Sequence, residues 1–246
     1  MAVSFTGASS ADLSASGASS TITISSFTAS AGDIIIVCAG THDVFDADTV
    51  SGVTWGGGNN FTSAVAKKGS PGDPLDWLAC SIWYFVVGSG GTNNIVVTFT
   101  GSIAEGSATA VLAQGADTGT PIGDTDTSED NDGDGSHTAP ALTTTSGDAV
   151  VMISVSDDGA DDHTDAQAGQ TEIYNSFATY GGVIYGASVS YKVASGSSTT
   201  VGVDFLNQLG LSFGNANVIA AAVIKQAAAG GTIVPLLHHM QRMRTR

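Results

Sequence analysis

Thr28-Ala-Ser-Ala-Gly-Asp33 followed by Ile34-Ile-Ile-Val37 returns 115 positions later (28 to 143) as Thr143-Thr-Thr-Ser-Gly-Asp148 followed by Ala149-Val-Val-Met152. Each copy is a polar turn closing on Gly-Asp, then an apolar run. Glycine enters left-handed backbone without a Cβ clash, and aspartate bonds the backbone of its own turn, so Gly-Asp marks a reversal. The runs that follow are short and apolar at every position, as in Ile34-Ile-Ile-Val-Cys-Ala39. That pattern belongs to strands at the centre of a sandwich rather than to half-exposed ones.

Working outward, two more pairs of segments correspond in the same order. Trp83-Tyr84-Phe-Val-Val-Gly-Ser and its strand through Phe99 match Ser190-Tyr191-Lys-Val-Ala-Ser-Gly and its strand through Phe205. Thr109-Ala-Val-Leu-Ala-Gln114 matches Ala221-Ala-Val-Ile-Lys-Gln226. Three matches in one order predict a duplicated unit. Elsewhere polar and apolar residues alternate. Val201, Val203 and Phe205 share one side of their strand, and Val189, Tyr191 and Val193 are expected to face in while Ser188, Ser190 and Lys192 face out. Strands are predicted near 21–27, 34–42, 50–56, 61–67, 79–87, 95–100, 107–114, 141–144, 149–157, 170–179, 186–194, 199–205 and 217–226, separated by Gly-, Asn- and Asp-rich turns. The organisation expected is a β-sandwich over 1–228, with repeat one about 20–116, an acidic connection at 117–139 and repeat two about 140–228, then a tail at 229–246.

Composition agrees with an all-β chain. Of the 23 acids in these 246 residues, 20 are Asp and only Glu105, Glu129 and Glu172 are Glu. Asp favours turns and Glu favours helices, so the chain has chosen strands and loops. Against those acids stand 7 Lys+Arg, for a net charge of −16. Such a surface repels nucleic acid and anionic membrane, because phosphate binding needs clustered Lys/Arg. The longest apolar runs, Ile34–Ala39 and Val218–Ile224, are far shorter than the roughly 18 residues of a membrane-spanning helix. Met1-Ala-Val-Ser-Phe-Thr-Gly7 has no basic or apolar region of a secretory signal, so none is expected. Cys38 and Cys80 fall in apolar runs and read as buried free thiols, with a disulfide as the alternative.

Candidate chemistry is sparse. After the equivalent strand of each half comes an Asp/His segment, His42-Asp43-Val-Phe-Asp46-Ala-Asp48 and Asp157-Asp158-Gly-Ala-Asp161-Asp162-His163-Thr-Asp165. Asp43, Asp46, Asp48, Asp158, Asp161 and Asp162 supply the hard oxygen ligands that Ca²⁺ takes; solvation of an acidic surface is the other reading. Asp130-Asn-Asp132-Gly-Asp134-Gly135 opens like an EF-hand loop, but its twelfth position is Ala141 where a bidentate Glu should close the shell. No Gly-x-Ser-x-Gly elbow occurs, Glu105 reads as a turn residue, and no enzyme is expected. Trp77 sits in a loop-like setting and is the candidate glycan platform, whereas Trp55 and Trp83 read as core. The tail reverses the charge of the body: 229–246 holds three Arg, two His and no acid, beside Ile233, Val234, Leu236, Leu237, Met240 and Met243. Leu236, Leu237, Met240, Arg242, Met243, Arg244 and Arg246 form an assembly segment by composition, behind an Ala227–Gly231 hinge.

Gly52-Val-Thr-Trp-Gly-Gly57, Ile82-Trp-Tyr-Phe-Val-Val87, Gly91-Thr-Asn-Asn-Ile-Val-Val-Thr98 and Ala113-Gln-Gly-Ala-Asp-Thr-Gly-Thr-Pro-Ile122 together resemble a group of lectin-like jelly-roll β-sandwich proteins found in tailed-phage structural modules and on environmental bacterial surfaces. The resemblance spans about residues 20–226. It implies one antiparallel, jelly-roll-like sandwich built from two pseudo-repeats with a short C-terminal tail; two stacked sandwiches are the alternative. The function it implies is a non-enzymatic virion protein (capsid decoration, fibre or tail component) partnered by its own copies and other virion proteins, and extracellular after release. The competing expectations are a carbohydrate-binding or adhesive module and an extracellular filament subunit.

Overall fold

The computed structural model describes residues 2–13, 19–43, 49–69, 77–103, 105–130, 136–158, 164–180, 183–205 and 216–228. The fold is all-β and antiparallel, with no helix among the described residues. The first half contains β1 (Ser4–Leu13), β2 (Ser19–Ala29), β3 (Ile34–Asp43), β4 (Val50–Trp55), β5 (Asn59–Asn60), β6 (Thr62–Gly69), β7 (Trp77–Val86), β8 (Gly91–Ile103) and β9 (Glu105–Gln114). The second contains β10 (Ile122–Asp130), β11 (Ser136–Thr138), β12 (Leu142–Thr143), β13 (Ala149–Asp158), β14 (Thr164–Ala166) and β15 (Thr171–Tyr180). It ends with β16 (Val183–Val193), β17 (Ser198–Thr199), β18 (Gly202–Phe205) and β19 (Ala216–Ile224).

The repeated Gly-Asp turn has one geometry in both places. Gly32 and Gly147 adopt left-handed backbone, φ 89° and 97°. In each turn the aspartate carboxylate accepts the amide three residues back, Ser30 N–H to Asp33 at 2.7 Å and Thr145 N–H to Asp148 at 2.8 Å. The glycine amides donate to Val87 and Ala194, tying each turn to the end of the neighbouring strand. Side chain and backbone together leave one way to enter β3 and β13.

Four β layers follow. The order β1-β9-β3-β7-β6 forms one five-stranded sheet and β10-β19-β13-β16-β15 another; each is covered on its outer side, by β2-β8-β4-β5 and by the short β11-β18-β14 and β12-β17 ladders. The two five-stranded sheets face each other across a central apolar layer. In β3, Ile34, Ile36 and Cys38 enter that layer while Ile35, Val37 and Ala39 enter the layer beneath β2 and β8. In β13, Ala149, Val151, Ile153 and Val155 point to the centre while Val150 and Met152 meet Leu142, Val201 and Val203. An apolar residue at every position means burial on both faces, because the period of a strand is two. The four β layers thus stack as two sandwiched pairs with an apolar layer between each neighbouring pair. Contacts across the centre repeat on exchange of the halves: β1 lies against β15 as β10 lies against β6, β9 against β16 as β19 against β7, and β3 faces β13.

Several local expectations change. Residues 117–139 are not simply a connection: Ile122–Asp130 is an edge strand paired with β19. Its counterpart in strand order, β1, was also not anticipated. β1 is rich in Ser and Ala and β10 in Asp and Thr, compositions that hide a strand; the acids of β10 also suit an edge, where charge discourages further pairing. Ser188 and Ser190, expected to face out, are fully buried, and Val193, expected to face in, is 43% exposed. The face that carries these serines is covered by the outer ladders rather than by water. Finally, Ile34 pairs with Val86 and Ala113, and Ala149 with Val193 and Ile224. The closing strands therefore correspond at an offset of 111 (113 to 224), where the sequence match takes 112 (109 to 221). A one-residue slip exchanges the faces of a strand, so hydrogen-bond register decides between them.

Candidate functional site

The two predicted acidic segments begin at one end of the stack. Gly40 lies against Val155, Ile153 and the Tyr185 hydroxyl, which places the far ends of β3 and β13 at the same level. Asp43 is the last residue of β3 and Asp158 the last of β13. Asp46, Asp48, Asp161 and Asp162, the side chains of Asp43 and Asp158, and residues 131–135 of the EF-hand-like run lie outside the described residues. Among the described residues, no group of three or more His, Cys, Asp or Glu is gathered as a metal site.

Just inside this end, polar side chains are sealed between the central sheets. His42 Nδ1 lies 3.5 Å from Glu105 Oε2, and both residues are buried. Glu105 is thus the first residue of β9, facing the central layer, and not a turn residue. The apolar pattern around it gave no sign, since only the pairing of His42 with Glu105 across the ladder brings the two together. Ser107 Oγ and the Tyr185 hydroxyl share a hydrogen bond at 3.1 Å, and burial holds the Tyr185 phenol well above its ordinary value. Nearer the rim, the Tyr174 hydroxyl donates to Asp12, and Ser176 Oγ donates to the same carboxylate at 3.4 Å. Burial first, and then the bond to Asp12, raise the Tyr174 phenol.

A second chain of hydrogen bonds crosses the second sandwich. Asn217 Nδ2 donates to the Val155 carbonyl at 3.1 Å and to Ser154 Oγ at 2.6 Å. Because a carbonyl only accepts, the amide oxygen is the end that meets His137 Nδ1, at 2.6 Å. His137 Nδ1 therefore carries a proton, and in the neutral ring Nε2 accepts from Ser128 Oγ at 2.7 Å. Hydroxyl to imidazole to a fixed orienting group is the proton-transfer order of a nucleophilic site. Here the imidazole and Asn217 are buried inside a sandwich, and the network equally satisfies polar groups that would be costly alone. Sequence reasoning passed over His137 and Asn217. The available signal was Asn217, a polar residue heading an otherwise apolar run.

The remaining candidates scatter. Trp77 opens β7 opposite Asp43, with its side chain outside the described residues. Trp55 is core: it is 1% exposed, and its Nε1 donates to Phe27 O at 3.2 Å. Trp83 is only half-buried, its Nε1 bonded to Ser81 Oγ at 2.9 Å. Cys38 and Cys80 are free and buried, with burial pushing the Cys38 thiol up to about 12 and raising Cys80 as well. Leu236, Leu237, Met240, Arg242, Met243, Arg244 and Arg246 lie outside the described residues. A surface depression of about 610 Å³ is bounded by Ile122, Asp124, Thr143, Val223, Lys225 and Gln226. The Thr143 amide donates to Asp124 at 2.8 Å and holds that carboxyl below its usual range. Compared with known proteins, the chain matches no protein-family model, no curated protein and no solved structure.

Proposed function

We propose that this protein is a non-enzymatic structural component of a virus particle, a capsid decoration, fibre or tail component of a tailed phage, that acts by assembling in many copies and becomes extracellular on release. The observation that carries the reading is the four-layer stack. Two sandwich units joined over whole five-stranded sheets make a rigid block that presents outer sheets and edge strands to its surroundings. Ser/Thr ladders on the β2–β8 face, such as the Thr28–Thr92 hydroxyl pair at 2.7 Å, and the acidic β10 edge suit lateral contacts more than phosphate or lipid. The finer fold reading belongs to the same proposal: each half is a jelly-roll unit descended from one duplicated ancestor. Its support is the common strand order, the shared Gly-Asp turn and the contacts that repeat on exchange of the halves. Ca²⁺ held between the acidic segments at the ends of β3 and β13 would add a link at that end.

Purified particles should contain the chain in many copies by mass spectrometry, and its absence would sink the reading. An activity-based serine probe that labels Ser128 would overturn the non-enzymatic part. A carbohydrate-binding module is the second reading, favoured by the mixed polar and apolar depression around Asp124, Val223 and Lys225. A glycan array showing hits that vanish in Lys225→Ala or Trp77→Ala would install it in place of the first.

A further inference from the structure

The central interface is symmetric in its pairing of strands but not in how its two edges close. Along β6 and β10 it is shut. Lys67 Nζ meets Glu129 at 2.7 Å, and Gly69 is so close to Val218 that a Cβ there would come within 2.4 Å of it. Along β1 and β15, the matching edge, a groove of about 260 Å³ stays open. Its walls include Phe5 and Ala8 from β1, Val111 from β9, Ile173 from β15 and Tyr191 from β16. Glu172 stands exposed at its mouth, and Asp12 lies farther along β1.

The course of the chain supplies an occupant. The Ala227 amide donates to Gly115 O at 2.8 Å, and the neighbouring Gln114 pairs with Ser4, next to Phe5. Two strand spacings and one or two residues separate Ala227 from the groove, about 10–15 Å. Residues 229–232, Ala-Gly-Gly-Thr, can span at most about 13 Å, reach enough for Ile233 to meet Phe5. Ile233, Val234, Leu236 and Leu237 come next, then the only three Arg of the chain. From Phe5 to Asp12 is seven residues of β1, about 23 Å; an extended segment of that length counted from Ile233 would end at Met240, two residues before Arg242.

We propose that the β1–β15 groove is the docking site of this chain's own C-terminal segment, with Ile233–Leu237 against Phe5, Ile173 and Tyr191 and the arginines against Glu172 and Asp12. The segment closes the open edge as Lys67 and Glu129 close the other. This does not depend on the virion reading, since it concerns the isolated chain.

Cysteine trapping tests it cleanly, because Cys38 and Cys80 are buried. Ala8→Cys paired with Leu236→Cys in the full chain should form an intramolecular disulfide under mild oxidation. Tethering at roughly millimolar effective concentration should make this at least about tenfold faster than for Asp124→Cys with Leu236→Cys, and independent of protein concentration. In the unmutated sequence, truncation after Ala228 should speed amide exchange at Thr6–Ala8 and Thr171–Ile173. Equal exchange with and without the segment overturns the proposal. So does preferential trapping at Asp124, or trapping only between molecules, which would assign the groove to a neighbour's tail.

Discussion

Gly40→Ala probes the closest approach between the two halves. A Cβ at Gly40 would stand 2.3 Å from Val155 Cγ2, 3.3 Å from the Tyr185 hydroxyl and 3.4 Å from Ile153 Cδ1. Positions 40 and 155 are 115 apart, the spacing of the two Gly-Asp turns, and β3 meets β13 here. A valine on both sides would clash, and glycine on one side lets the sheets close. The methyl cannot be absorbed by a flexible tip, since Val155 is 0% exposed and β-branched. Overpacking of this kind costs about 1–3 kcal/mol, equivalent to roughly 2–12 °C in Tm for a chain of this size. Val155→Ala alone loses two buried methyl groups and leaves a cavity, about 2–3 kcal/mol. In the double variant the new methyl occupies the space the valine vacates, so the two losses should fall short of their sum by about 1–2 kcal/mol. Urea midpoints of the four proteins, with m-values checked for constancy, measure this directly. A neutral Gly40→Ala, or strict additivity, would refute the face-to-face placement of β3 and β13.

Asn217→Leu should destabilise by about 1–3 kcal/mol for each buried partner left unpaired at His137, Ser154 and Val155, read as a lowered urea midpoint; an unchanged midpoint would mean the network contributes nothing. Burial raises the Cys38 thiol from 9.0 to about 12, so the folded state keeps a proton that the unfolded chain loses. Stability is then whole below pH 9 and falls as pH climbs toward 12, and Cys38→Ala with Cys80→Ala should flatten that slope in urea midpoints taken across pH 8–11. Millimolar Ca²⁺ should raise Tm relative to EDTA through the segments after β3 and β13, because a ligand that binds only the folded state stabilises it; equal midpoints would leave those acids as solvated surface.

Much of the fold is written in local chemistry. The Gly-Asp turns before β3 and β13 act within four residues, and their geometry follows from a glycine's freedom and a short carboxylate. The wholly apolar runs of β3, β13 and β19 announce burial on both faces, which is a property of period two alone. Trp55 and the two cysteines were readable as core for the same reason. The site was far less legible. Glu105 meets His42, and His137 meets Asn217, across 63 and 80 positions of sequence (42 to 105, 137 to 217), and nothing local to either partner records the other.

Sequence by itself determined the class and the strands with strong apolar patterns, because each rests on neighbours along the chain. Tertiary structure alone decided the rest. It set the number of layers, because a serine-bearing face such as that of Ser188 and Ser190 can meet another sheet as well as water. It made strands of Ser4–Leu13 and Ile122–Asp130, whose weak propensity is overridden by ladders to β9 and β19. It also chose the register of the closing strand and, among the described residues, left a groove along one edge of the central interface. Those outcomes depend on backbone hydrogen bonds and on volumes packed between distant segments, quantities that no residue carries alone.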